Sequence, residues 1–119
     1  HAVMLCLSQL YCNGWKKQDC VDAIRFQNDF NASVQNDYSQ MFTCGFVVQP
    51  LYMDHALKEV ERCVLQLGLK VLCLPTHFLN SKGEWLSVAE SDVDPIFELA
   101  NKYKLSIQIH PYDGEKMIA

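Results

Sequence analysis

Four short apolar runs, separated by segments of helical spacing, constrain this chain more than any other feature. The runs are Ala2–Leu7, Cys44–Val48, Leu69–Leu74 and Leu105–Ile109. The first is continuous rather than alternating, as in a strand buried on both faces. Turn or breaker residues follow the first three: Asn13-Gly14, Pro50 and Pro75.

The intervening segments read as helices. Asp19 is placed to cap one that reaches to about Tyr38, with Ala23, Phe26, Phe30 and Val34 stepping along one face. Asp54 is placed to cap a second, on which Leu57, Val60, Val64 and Leu67 form a stripe that Gly68 terminates. Asp94-Pro95 opens a third, with Phe97, Ala100 and Tyr103 on one side. Thr76–Asp94 is long for a simple connection, and such stretches are functional or carry small elements of their own.

The order is therefore βαβαβαβ, an α/β pattern that implies four parallel strands with right-handed crossovers. Four such strands are half of an eight-stranded barrel, which takes about 250 residues. A small open doubly wound sheet has the same order. No glycine-rich phosphate turn follows any strand, which disfavours a nucleotide-binding sheet. Residues 1–119 are read as a single partial TIM (β/α)8 barrel segment. Its terminal strands then expose apolar edges that need cover from more chain or from another copy. The chain does not begin with Met, which hints at truncation.

A formal net charge of −4, with scattered Lys and Arg, argues against nucleic acid or an anionic membrane as partner. No apolar run approaches the roughly 20 residues that cross a bilayer. The six cysteines contain no C-x-x-C, and Cys6, Cys44 and Cys73 lie inside apolar runs, so reduced thiols in a cytoplasmic protein are expected.

In parallel β/α folds the site lies at the C-terminal strand ends. Here those ends carry Ser8-Gln9, Gln49-Pro50, Pro75-Thr76-His77 and His110-Pro111-Tyr112-Asp113. His110 directly follows an apolar strand, where neutral imidazole can ligate a metal or hydrogen-bond a neighbouring loop. His77 either packs on Phe78 or Trp85 or faces the site. Asp113 either orients His110 or is a solvated turn residue. Trp15 and Trp85 fall in loops at the same end, as pocket walls or as anchors. His55 sits in the first turn of a helix, and Glu59, Glu61 and Glu98 read as helix-surface charges.

The segments "ALKEVERCVLQLGLKVLCLPTH", "DPIFELANKYKLSIQIHPYD" and "FVVQP" resemble the amidohydrolase-2 (amidohydrolase-related) family. The resemblance implies a distorted (β/α)8 barrel with a divalent metal, usually zinc. Its ligands are an H-x-H pair on the first strand, a His ending the fifth and an Asp after the eighth, with a catalytic His after the sixth. The four strands here would be the second to the fifth. His110, opening the H-P-aromatic-D motif, matches the fifth-strand ligand. His77 matches a pocket position at the fourth strand end, and Tyr112 stands where the family often has Trp. The chain has no H-x-H. It is therefore expected to be inactive by itself and to belong to a metal-dependent hydrolase or decarboxylase of a small carboxylic acid. His77, Tyr112 and Trp15 are the substrate-binding candidates and His110 the metal ligand. The partner expected is the remainder of the barrel or a homo-oligomer. The alternative is a non-catalytic, self-associating β/α module.

Overall fold

The computed structural model describes residues 2–4 and 11–111. Its main sheet has strands β1 (Ala2–Met4), β2 (Phe42–Val47), β3 (Val71–Pro75) and β6 (Ser106–His110), in that spatial order and all parallel. Helices α1 (Lys17–Asp37), α2 (Met53–Leu65) and α3 (Asp94–Lys102) alternate with the strands. The stretch from Thr76 to Asp94 carries an antiparallel hairpin of β4 (His77–Leu79) and β5 (Trp85–Ser87). Trp85 thus lies in a strand rather than a loop. The hairpin turn is closed by the Asn80 side chain, whose Oδ1 accepts from the N–H groups of Lys82 and Glu84.

The main core lies between the sheet and the helices. Cys44, Phe46 and Val48 on the β2 side and Leu72 and Leu74 on β3 pack against Val60 and Cys63 of α2 and Ile96 and Ala100 of α3. This even-numbered set on each strand follows from the two-residue period of side chains. The apolar stripe of α2 meets it as its spacing requires. α2 ends at Leu65, and three residues on Gly68, at φ +71°, turns the chain so that Leu69 N–H reaches back six residues to the Cys63 carbonyl at 3.0 Å. A left-handed residue there is what glycine adopts without strain.

Val47 and Cys73 turn to the other face and join Tyr11, Cys12, Cys20 and Ile24 in a smaller cluster. The five described cysteines are free and buried, as expected for thiols acting as small hydrophobes. Burial pushes the thiol of Cys20 up to about 12, helped by neighbouring Cys12. Among the described residues no strand pairs with the outer edge of β6, and Ile107 and Ile109, in register with Leu72 and Leu74, are 37% and 46% exposed.

Three local expectations are corrected. Asp19 and Asp54 make no side-chain cap; α1 begins at Lys17, and Asp54 instead accepts from Lys17 Nζ at 2.8 Å. The inward face of α1 is not that of Phe26 and Phe30, which are 76% and 47% exposed, but that of Cys20, Ile24, Gln27, Asn28 and Asn31. Glu59 is not a surface charge; it is 2% exposed.

Both of the last two corrections have one cause. Val47 N–H donates to Asn28 Oδ1 at 2.9 Å, and Asn28 Nδ2 donates to Val47 O at 2.9 Å. Asn31 Nδ2 donates to Gly45 O at 3.0 Å. The two carboxamides thus supply ladder bonds that a neighbouring strand would otherwise make. Asn28 Nδ2 also reaches Glu59 Oε2 at 2.8 Å, and Glu59 holds Arg62 through two bonds of 2.7 and 2.8 Å. Arg62 continues to Asp29 at 2.6 Å. Its hydrogen bonds to Glu59 hold the guanidinium pKa above its usual value.

Candidate active-site rim

The C-terminal ends of the main strands form one rim, because the strands are parallel. Gln49 follows β2, Thr76 and His77 follow β3, and His110 ends β6. Ser8 and Gln9, and likewise Tyr112 and Asp113, lie outside the described residues.

His110 is paired with Pro75, and its carbonyl accepts from Thr76 N–H at 3.0 Å. Strand alternation puts it on the same face as Gln108, whose Oε1 accepts from Cys73 Sγ at 3.6 Å, and opposite to Ile107 and Ile109. That is the face turned away from α2 and α3. The ring is exposed, with Nδ1 2.7 Å from the Pro111 carbonyl. A carbonyl only accepts, so this contact puts the hydrogen on Nδ1 and leaves the Nε2 lone pair available.

His77 and Trp15 line different cavities. His77 borders an apolar groove of about 580 Å³ with Phe97, Ile107 and Ile109, on the helix side of the sheet. Its Nδ1 is buried and has no hydrogen-bond partner among the described residues. Trp15 is 45% exposed and lines a cleft of about 320 Å³ with Lys16, Gln49, Tyr52 and Asn80. Tyr52 Oη donates to the Trp15 carbonyl at 3.0 Å and fixes that loop. His110 lines neither.

Two rim residues, Gln49 and Asn13, escaped the sequence reading as carriers of structure. Gln49 Nε2 donates to the Tyr11 carbonyl and to Asn13 Oδ1, and its Oε1 accepts from Leu51 N–H. Asn13 Oδ1 also accepts from Leu79 N–H at 3.1 Å. This amide pair ties the loops after β1 and β2 to the hairpin after β3. The available signal was a buried-strand run ending in Gln and Pro, where a polar side chain at the tip must find partners.

The fit of a metal can be tested on the donors present. Imidazole with a held Nδ1–H is the chemistry a metal ligand needs. However, among the described residues no three His, Cys, Asp or Glu side chains come together to hold an ion. A catalytic zinc centre takes about three protein ligands, and the described residues bring no such set together.

The fold is a parallel β/α sheet whose C-terminal strand ends share one rim. Residues 14–119 match the amidohydrolase family, and the chain belongs to it. It is 28% identical over 99 residues to 2-amino-3-carboxymuconate-6-semialdehyde decarboxylase of Dictyostelium discoideum, covering 82% of this chain and 26% of that protein. Among solved structures it is similar to 2,6-dihydroxybenzoate decarboxylase from Rhizobium, with TM-score 0.80 and 16% identity over 92% of this chain and 34% of the other. For 5-carboxyvanillate decarboxylase from Sphingomonas paucimobilis the values are 0.79, 23%, 97% and 33%. A dihydroxybenzoic acid decarboxylase from Polaromonas, solved with bound manganese and the inhibitor 2-nitroresorcinol, gives 0.76, 19%, 86% and 31%. The chain thus spans about a quarter of the curated relative and about a third of these solved neighbours. The parallel β/α architecture is that of the amidohydrolase barrels. Among the described residues no helix is long and apolar enough to cross a membrane.

Proposed function

We propose that this chain forms barrel strands two to five of a metal-dependent carboxy-lyase or hydrolase acting on a small carboxylic acid, with His110 as one metal ligand. The observation that carries the reading is the place of His110. It ends a parallel strand at the rim, on the face away from α2 and α3, with Nδ1 engaged by a carbonyl and Nε2 left for a cation. The family membership and the decarboxylases among the similar proteins support the reaction class.

A divalent metal, when bound, supplies Lewis acidity toward a substrate oxygen. Zinc is the first choice and manganese, present in the Polaromonas neighbour, the second. The remaining ligands and the acid–base group belong to polypeptide beyond this segment, so the segment alone is inactive. Trp15, His77 and Tyr112 stay as substrate-binding candidates, Trp15 through its cleft and His77 through its position after β3. A cytoplasmic enzyme with no nucleic-acid or membrane partner fits the charge and the buried thiols.

The test is His110→Ala in the full-length protein. The expected outcome is loss of stoichiometric metal by elemental analysis, and loss of carbon dioxide release from aromatic and unsaturated carboxylic acids of at least about 100-fold. A variant that keeps its metal and its turnover overturns the assignment. The exposed Ile107–Ile109 edge favours one further reading, a module that buries this edge against a second copy. Sedimentation of the 119-residue chain as a well-folded monomer removes it.

A further inference from the structure

The side chains of Cys12, in the loop before α1, and Cys20, in its first turn, meet inside the smaller core cluster. Cys20 Sγ lies 3.9 Å from the Tyr11 carbonyl, the group bonded directly to the Cys12 nitrogen. The two thiols share a hydrogen bond, with Cys20 donating. Of the other described cysteines, Cys63 turns to Glu59 at 3.6 Å and Cys73 to Gln108 at 3.6 Å, while Cys44 belongs to the main core. Cys12 also stands at φ +59°, where a residue with a side chain is strained, and such positions gather at functional segments.

The two sulfurs are unequal. Cys12 borders the cleft of about 320 Å³ that holds Trp15, and Cys20 does not. Burial raises both thiols, but the hydrogen bond from Cys20 opposes burial at Cys12. Cys12 is therefore both the more acidic sulfur and the one that a small oxidant in the cleft can reach. We propose that Cys12 and Cys20 form a reversible disulfide, with Cys12 as the sulfur that meets hydrogen peroxide and Cys20 as the sulfur that resolves it. The proposal goes beyond the metal-dependent reading and does not rest on it. The Cys12 thiol loses its proton, and its sulfur attacks one peroxide oxygen. The O–O bond breaks, and the departing hydroxide takes up that proton as water. The Cys20 sulfur then attacks the sulfur of the resulting sulfenic acid, and its proton leaves with the hydroxyl as a second water. Two thiols and one peroxide thus give one disulfide and two waters, the sulfurs losing two electrons and the peroxide gaining them. The resolving step is intramolecular between groups already in contact, which gives it a high effective concentration. The loop so closed carries Trp15 and Lys16 of the cleft wall.

The experiment treats the reduced, folded full-length protein with hydrogen peroxide, alkylates the remaining thiols and maps the peptides without reduction. A Cys12–Cys20 link with the loss of two hydrogens is expected, and dithiothreitol is expected to reverse it. Cys44, Cys63 and Cys73 are expected to stay alkylatable once the protein is denatured. Cys20→Ala is expected to raise dimedone capture at Cys12 about tenfold or more over the parent, because the sulfenic acid loses its resolving partner. Cys12→Ala is expected to leave Cys20 without a dimedone adduct. Four results overturn the proposal: no link in the parent protein, a link from Cys12 to another cysteine, dimedone capture at Cys20 in Cys12→Ala, or oxidation of Cys44 or Cys63 as fast as the pair. The pairing itself is read on the parent protein, whether or not the variants fold.

Discussion

Helices α1 and α2 flank the same strand, β2, and are held to the fold by different chemistry. α2 presents Val60 and Cys63, both fully buried, with Leu57 and Val64 at its margins. α1 presents Asn28 and Asn31, also fully buried, which hydrogen-bond the strand backbone at Val47 and Gly45. The two helices are then joined through Asn28, Glu59, Arg62 and Asp29. Apolar docking tolerates small shifts, because dispersion and desolvation are not directional. Amide docking does not, because each bond fixes a donor and an acceptor. The polar side therefore sets the position of α1 against β2, while the apolar side supplies the bulk of burial.

This contrast can be broken or sharpened by substitution, starting with the largest expected effect. Glu59→Ala removes the acceptors for Arg62 and Asn28 and leaves a guanidinium at the α1–α2 junction without its main partner. A loss of about 3–5 kcal/mol in urea unfolding is expected. A loss no larger than that of Val64→Ala would show that the network is incidental. Asn28→Ala leaves Val47 N–H and C=O without their side-chain partner, at about 2–3 kcal/mol. If hydrogen exchange at Val47 stays as slow as in the parent chain, another group has replaced the carboxamide.

The third effect is smaller and depends on pH. His55, partly buried at the start of α2, has its pKa lowered by burial, with Arg25 and Lys17 acting in the same direction and Glu59 and Asp54 against it. Because the folded value lies below the unfolded one, the unfolded chain takes up the proton first. Stability is therefore full above about pH 6.5, falls as pH drops through that value, and levels off below the folded pKa. His55→Gln is expected to flatten the unfolding midpoint between pH 7 and 5.5, and an unchanged slope would assign it elsewhere. The smallest effect is Phe26→Ser. The periodic reading of α1 makes it a core substitution of about 3–5 kcal/mol, whereas its exposure predicts a change within about 0.5 kcal/mol. Thermal unfolding distinguishes the two at once.

The same physics explains where sequence reading reached and where it stopped. Val60 and Leu72 were recoverable because burial of apolar side chains leaves a periodic trace, and Gly68 because few residues accept its backbone angles. Phe26 misled for the converse reason. An apolar step of three and four marks a helix face, yet it does not say that the face is covered. His110 was legible as a rim residue from its place after an apolar run. That His77 and Trp15 border two different cavities was not, because strand ends give a common height but not a side of the sheet.

From its sequence alone this protein had its alternation of strand and helix, its parallel sheet and its family determined, since all three reside in local periodicity and short motifs. The burial of Glu59, the amide bonds of Asn28 and Asn31 to β2, and the joining of three rim loops by Gln49 and Asn13 were decided only in three dimensions. Polar side chains carry no period, and whether one faces water or a partner depends on groups that lie far away along the chain.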